Sequence, residues 1–188
     1  MILFMVRHGQ TQANVEELLY GQLEYPLTEE GRNQAAALQP LLSRYSFDRV
    51  YSSDLGRAVE TARLAIPGCQ PTQTPLLREY DIGTIAPIKR ADFFSQYNHL
   101  LGNYRPVGGE SSEDVEQRLG QFLQQLEADP QPYVAGFSHN GTIKCLLRMV
   151  LGKGTHTAAL HSPNCNVAVF RYEEGKWSLA AWNLAGDL

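Results

Sequence analysis

The sequence predicts an α/β fold in which a mostly parallel sheet is flanked by helices. Three observations carry that expectation. Apolar runs of strand length, Ile2–Val6, Phe47–Tyr51 and Tyr133–Phe137, alternate with segments of helical periodicity. The joints after those runs hold Arg7-His8-Gly9, Ser53-Asp54-Leu55-Gly56-Arg57 and Ser138-His139-Asn140-Gly141, polar residues placed where buried strands should end. The composition, 43% hydrophobic and 19% charged over 188 residues, suits one ordinary globular domain with a substantial core and no low-complexity or repeated tract.

The elements follow in order. Ile2–Val6 reads as a buried strand. Thr28-Glu29-Glu30 supplies a cap and two acids at the positive end of a helix, whose apolar face is Ala35, Leu38, Leu41 and Leu42. Phe47–Tyr51 is a short strand, after which Ser53-Asp54 can cap a helix through Leu55, Val59 and Ala62 until Pro67-Gly68 stops it. The stretch 83–109 fits no strong period, carries Phe93, Phe94, Tyr97, Tyr104 and two prolines, and is the natural candidate for a lid.

Ser111 and Ser112 open a further helix, with Val115, Leu119, Phe122, Leu123 and Leu126 in helical period until Asp129-Pro130, which reads as a packing element. Tyr133–Phe137 is another strand. Beyond Gly141 a helix presents Ile143, Leu146, Leu147, Val150 and Leu151 on its apolar side. Cys165–Tyr172 and Lys176–Leu184, joined by Glu173-Glu174-Gly175, form a closing hairpin at the sheet edge.

Charge and cysteine usage narrow the function classes. A formal charge of −4 provides no broad basic field, which argues against nucleic-acid or anionic-membrane partners and makes any anion site local. The Met1–Val6 run is too short for a signal peptide, and no run approaches membrane-spanning length. Cys69, Cys145 and Cys165 form no CxxC pair, so neither a disulfide framework nor a zinc cage is expected, and the reducing cytoplasm is the expected compartment. The cysteines read as small core residues.

In a parallel sheet, the three crossings deliver His8 with Arg7, then Arg57, then His139 to one edge, where open α/β sheets bind ligands. Arginine forks take phosphate oxygens bidentately, and adjacent cations disfavour imidazolium, leaving His8 a neutral nucleophile. The helix beginning near Gly141 can add its amide dipole to that anion site. The bland readings stand beside these. Arg57 can ion-pair with Glu60, Glu79 can be a surface acid, and Glu110 can merely precede the Ser111 cap. His99, His156 and His161 read as structural, and the aromatics of 83–109 as packing.

Arg7-His8-Gly9-Gln10-Thr11-Gln12-Ala13-Asn14 resembles the RHGxTxxN signature of the histidine phosphatase superfamily, in its phosphoglycerate-mutase-like branch. The resemblance continues in that family's order through Gly21-Gln22, Pro26-Leu27-Thr28 with Gly31 and Gln34-Ala35, and Ser52-Ser53-Asp54-Leu55 with Arg57-Ala58 and Thr61-Ala62. It ends with Leu77-Arg78-Glu79, Gly108-Gly109-Glu110-Ser111 and Ser138-His139-Asn140-Gly141. It implies a three-layer α/β sandwich, one histidine phosphatase domain over residues 1–188, and a substrate lid at 83–109.

By the same resemblance, His8 attacks phosphorus while Arg7, Asn14, Arg57 and His139 bind the phosphoryl group. Glu79 is the implied proton donor, with Asp81 its rival, and Gln22 is a candidate substrate contact. The implied activity is hydrolysis of a small phosphorylated metabolite by a metal-independent phosphomonoesterase, without a cofactor, because arginines supply the charge that magnesium supplies elsewhere. Two departures bear on it. Many relatives carry a Trp and a Gly after the position of Gly83, where this chain has Thr84-Ile85-Ala86-Pro87-Ile88. The chain is also shorter than the branch's mutases, which favours a phosphatase. A phosphoglycerate mutase and a non-catalytic phospho-ligand sensor are the alternatives.

Overall fold

The computed structural model describes residues 1–184. In chain order it runs β1 (Ile2–Arg7), α1 (Gln12–Val15), β2 (Leu18–Leu19), α2 (Glu29–Ala36), α3 (Gln39–Leu42), β3 (Arg49–Ser53), α4 (Gly56–Ala65) and β4 (Thr72–Thr74). It continues through β5 (Ile88–Lys89), α5 (Arg90–Asp92), α6 (Ser112–Ala128), β6 (Tyr133–Ser138), α7 (Asn140–Leu151), β7 (Val167–Glu173) and β8 (Lys176–Ala181). The main sheet has the order β4-β3-β6-β1-β7-β8. Its first four strands are parallel, and β7 with β8 adds the antiparallel hairpin expected at the edge.

Alternation along β1 explains the layers. Leu3 and Met5 point to one face and pack with Val115, Leu119 and Phe122 of α6 and with Leu146 of α7. Phe4 and Val6 point to the other, against Leu42 of α3 and Ala62 and Ala65 of α4. Each fully buried leucine or phenylalanine contributes about 1.5–3 kcal/mol of transfer free energy, so both helical layers are held mainly by apolar burial. A third, smaller cluster of Ile82, Phe93, Leu100 and Tyr104 lies apart from both. No helix among the described residues is long and apolar enough to cross a membrane.

Three local expectations change. The helix read from Thr28 to Leu42 is divided, ending at Ala36 and restarting at Gln39 with Pro40 in its first turn, where the missing N–H does no harm. Ser53 and Asp54 do not cap α4. Its N-cap is Leu55, and the free N–H of Gly56 is taken instead by the Glu24 carboxylate at 3.1 and 3.2 Å. The 83–109 stretch contains several short helical turns, α5 among them, plus β5, which pairs antiparallel with β2.

Candidate active site

β1, β3 and β6 are adjacent, so their carboxyl ends bring Arg7 and His8, Arg57 and His139 together, as the spacing of the crossings implied. His8 is 3% exposed. Its Nδ1 lies 2.7 Å from the Gly9 carbonyl, which can only accept, so Nδ1 carries the hydrogen and Nε2 keeps its lone pair. Burial first, then the charges of Arg57 and Arg7, hold His8 well below the usual imidazole value of 6.5, and the ring is neutral. The Tyr20 hydroxyl stands 3.5 Å from Nε2 and 3.1 Å from the Thr11 hydroxyl.

Arg57 is buried and does not pair with Glu60, which binds Arg32 instead. Its Nη1 donates to the Leu23 carbonyl at 2.9 Å, its Nη2 to the Gly21 carbonyl at 2.8 Å, and its Nε to His139 Nδ1 at 3.2 Å. Gly21 has φ +51°, and a side chain there would press on the Tyr80 carbonyl at 2.8 Å, so glycine is what lets this loop receive the guanidinium. The Tyr20 ring caps the same guanidinium at 4.7 Å.

The bond from Arg57 fixes the His139 tautomer: Nδ1 accepts, so Nε2 bears the hydrogen. Burial, followed by the Arg57 charge, keeps His139 well below 6.5 as well. Its ring lies 5.2 Å from that of His8, behind the cavity wall. Both His139 Nε2 and Arg7 Nε are buried and have no hydrogen-bond partner among the described residues. Arg7 spends Nη1 on the Ser162 carbonyl. Asn14, on the wall, accepts from the Thr11 amide and from Asn164 through Oδ1, both at 3.1 Å, and its side-chain nitrogen has no hydrogen-bond partner among the described residues.

A cavity of about 440 Å³ opens over these groups. Glu79 lines it with its carboxylate seated on the first amides of α7: Oε2 accepts from Gly141 at 2.9 Å, and Oε1 from Thr142 at 3.1 Å and from Tyr80 at 3.0 Å. That corrects the expectation for this helix end, whose amides hold the carboxylate and not the anion bound by His8. Asp81 makes no hydrogen bond to that carboxylate among the described residues. It turns away, accepting from the Gly83 amide at 2.8 Å, and does not line the cavity.

Gln22 is held by internal bonds in this structure. It is absent from the cavity wall, and its amide is used inside the protein, donating to the Glu79 carbonyl at 3.0 Å and accepting from Arg78 at 3.2 Å. Two further residues were missed. Arg118 donates to Glu110 at 3.0 Å, to the Leu76 carbonyl at 2.9 Å and to the Glu79 carbonyl at 3.2 Å, while Glu110 accepts from the Asp81 amide at 2.9 Å. Thus α6 does more than pack: it clamps the backbone on which Glu79 rides. The signal was legible, since Arg118 stands between Val115 and Phe122 on the buried stripe of α6. Tyr20 was missed because Leu18-Leu19-Tyr20 reads as ordinary apolar chain.

Among the described residues, no group of three or more His, Cys, Asp or Glu is arranged to hold a metal ion. His8 and His139, with Arg7 and Arg57 beside them, thus form a buried histidine–arginine cluster at the carboxyl edge of a parallel sheet. The chain belongs to the histidine phosphatase superfamily, branch 1, whose family model matches residues 3–185. A Cronobacter sakazakii protein named "Probable phosphoglycerate mutase GpmB" is 31% identical, with 99% of this chain and 93% of that protein covered. The solved mycobacterial glucosyl-3-phosphoglycerate phosphatase, in complex with VO3, superposes with a TM-score of 0.86 at 29% identity, covering 98% of this chain and 99% of the other. The alpha-ribazole phosphatase of Shigella flexneri superposes at 0.84 with 28% identity, covering 98% and 96%.

Proposed function

We propose that residues 1–188 form one catalytic domain that hydrolyses a small phosphomonoester without a metal, through a phosphohistidine on His8. One observation carries the reading: His8, its Nε2 lone pair free, and Arg7 line the cavity with the His139 ring 5.2 Å from that of His8, and both Arg7 Nε and His139 Nε2 are buried N–H donors with no partner among the described residues. Buried donors without partners are costly, and phosphoryl oxygens would satisfy them. The solved relative that holds VO3, a common mimic of a transferring phosphoryl, gives further support.

In the first step His8 Nε2 forms a bond to phosphorus as the ester P–O bond breaks, with Arg7, Arg57, Asn14 and His139 binding the equatorial oxygens. Glu79 is the proposed source of the hydrogen that goes to the leaving oxygen. Water then attacks phosphorus, the N–P bond breaks, and the water proton goes to the Glu79 carboxylate, restoring neutral His8 and freeing phosphate. The 83–109 segment, whose Phe93, Phe94, Leu101 and Tyr104 line the cavity, acts as the substrate lid.

The relatives named as mutases favour one alternative, in which His8 returns the phosphoryl to a bound acid. Phosphate release, with a chelator present, decides between them across an activated aryl phosphate, phosphoglycerates, phosphoserine, sugar phosphates and ribazole phosphate. Release by wild type and none by His8→Ala supports the phosphatase. Interconversion of phosphoglycerates with no release would replace it with the mutase.

A further inference from the structure

The turn before β7 is fastened to the segment that bears His8. Pro163–Asn166 is closed by the Asn166 amide donating to the Pro163 carbonyl at 3.1 Å, and Cys165 sits in left-handed backbone at φ +59°, uncommon for a residue with a side chain. Around this turn the Ser162 carbonyl accepts from Arg7 Nη1, the Asn166 carbonyl accepts from the Arg7 amide at 2.9 Å, and the Cys165 amide donates to the His8 carbonyl at 3.3 Å. Asn164 adds its side-chain nitrogen, which donates to the His8 carbonyl and to Asn14 Oδ1, both at 3.1 Å. None of residues 162–166 lines the cavity, so the turn acts on the site from behind.

Main-chain groups decide which end of each amide points where. The Thr11 N–H can only donate, so the Asn14 atom 3.1 Å from it is the oxygen. The His8 carbonyl can only accept, so the Asn164 atom facing it is the nitrogen. Because the Asn14 oxygen accepts from both Thr11 and Asn164, its nitrogen is the end left to the cavity that Asn14 lines. A flipped Asn14 would set its nitrogen against the Thr11 N–H and the Asn164 nitrogen, donor against donor, and would turn an oxygen to the cavity. Thr11 opposes that flip from within the same capping box, and Asn164 opposes it from 150 positions away in the chain.

We infer that Asn164 is a positioning residue of the phosphoryl site: it locks the Asn14 amide with the nitrogen toward the cavity and ties it to the His8 backbone, so that Asn14 meets a phosphoryl oxygen as a donor. The inference rests on the phosphatase reading for what Asn14 binds. It gives Asn164 no contact with the substrate.

The test is calorimetric binding of inorganic phosphate, with orthovanadate as a second probe, to wild type, Asn164→Ala, Asn164→Asp, Asn14→Ala and the two double variants. Asn164→Asp keeps the shape of the side chain and replaces a donor by an acceptor; it should weaken binding at least about tenfold, and Asn164→Ala about threefold to tenfold. In the Asn14→Ala background each should weaken binding by less than about twofold further, because Asn164 acts through Asn14. A turn that loses its fold, or a new charge that repels the anion, would weaken binding by the same factor in both backgrounds, and that result would overturn the inference. Unchanged affinity in Asn164→Asp would overturn it too. Coupled binding by a wild type that releases phosphate from no ester would sink the phosphatase reading and leave the role of Asn164 standing.

Discussion

At the carboxyl edge of the sheet, Arg57 is fixed by hydrogen bonds to Gly21, Leu23 and His139, residues 36, 34 and 82 positions away in the chain. Across the cavity, the 82–109 segment is held by a small cluster of Ile82, Phe93, Leu100 and Tyr104, while Phe94 and Leu101 remain 46% and 59% exposed. The first region is a cross-linked polar framework inside the main core; the second is a small apolar cluster tied to the rest by the two-residue β2–β5 pair and a few backbone and surface bonds. Directional bonds hold reacting groups in one geometry, whereas a small apolar cluster can open at modest cost. Under the proposed function, reaction chemistry falls to the sheet edge and substrate choice to the segment that covers it.

The sharpest way to break that division is His8→Ala, which should slow phosphate release from an activated aryl phosphate by at least about 10⁴-fold. Its thermal midpoint should stay within roughly 5 °C of wild type, read by calorimetry. Glu79→Gln should slow alkyl phosphates by about 10²–10³-fold but nitrophenyl phosphate much less, because only a poor leaving group needs the proton. Equal losses on both would remove Glu79 from the donor role.

Two buried phenylalanines compare the regions directly. Phe137→Ala, in the main core, should cost about 3–5 kcal/mol and lower the global midpoint by roughly 10 °C. Phe93→Ala should shift the midpoint far less while raising KM and admitting protease cleavage within 83–109. Matching global losses would show that the covering segment unfolds with the core.

Next comes pH. His8 and His139 have folded-state pKa values below 6.5, so the unfolded chain takes up protons that the folded chain refuses. Their contribution is complete above about pH 6.5 and lost as pH falls, by up to about 1.4 kcal/mol per pH unit for each ring. Midpoints measured from pH 7 to 5 should drop, with a shallower slope in His139→Gln; parallel slopes would mean the rings are not the cause. The smallest effect is expected from Gly141→Ala, whose new methyl would meet Glu79 Oε1 at 2.5 Å. It should cost about tenfold, with the same dependence on leaving group as Glu79→Gln.

The sequence carried the fold class because burial on both faces of a sheet demands strand-length apolar runs, and Leu3 to Val6 or Val134 to Phe137 need no distant partner to be recognised. The convergence of Arg7, His8, Arg57 and His139 was readable too, because parallel strands end on one edge and each of these residues ends or follows a strand. Tertiary structure alone decided the rest. Gln22 was turned inward by Arg78 and the Glu79 backbone, Asp81 by the Gly83 amide, and Arg118, marked by its place on the buried stripe of α6, found its partners on the segment bearing Glu79 only through the fold. Tautomers at His8 and His139 were set by a carbonyl and a guanidinium. The physical reason is range: strand and helix patterns are local along the chain, whereas which donor meets which acceptor depends on residues brought together from dozens of positions away.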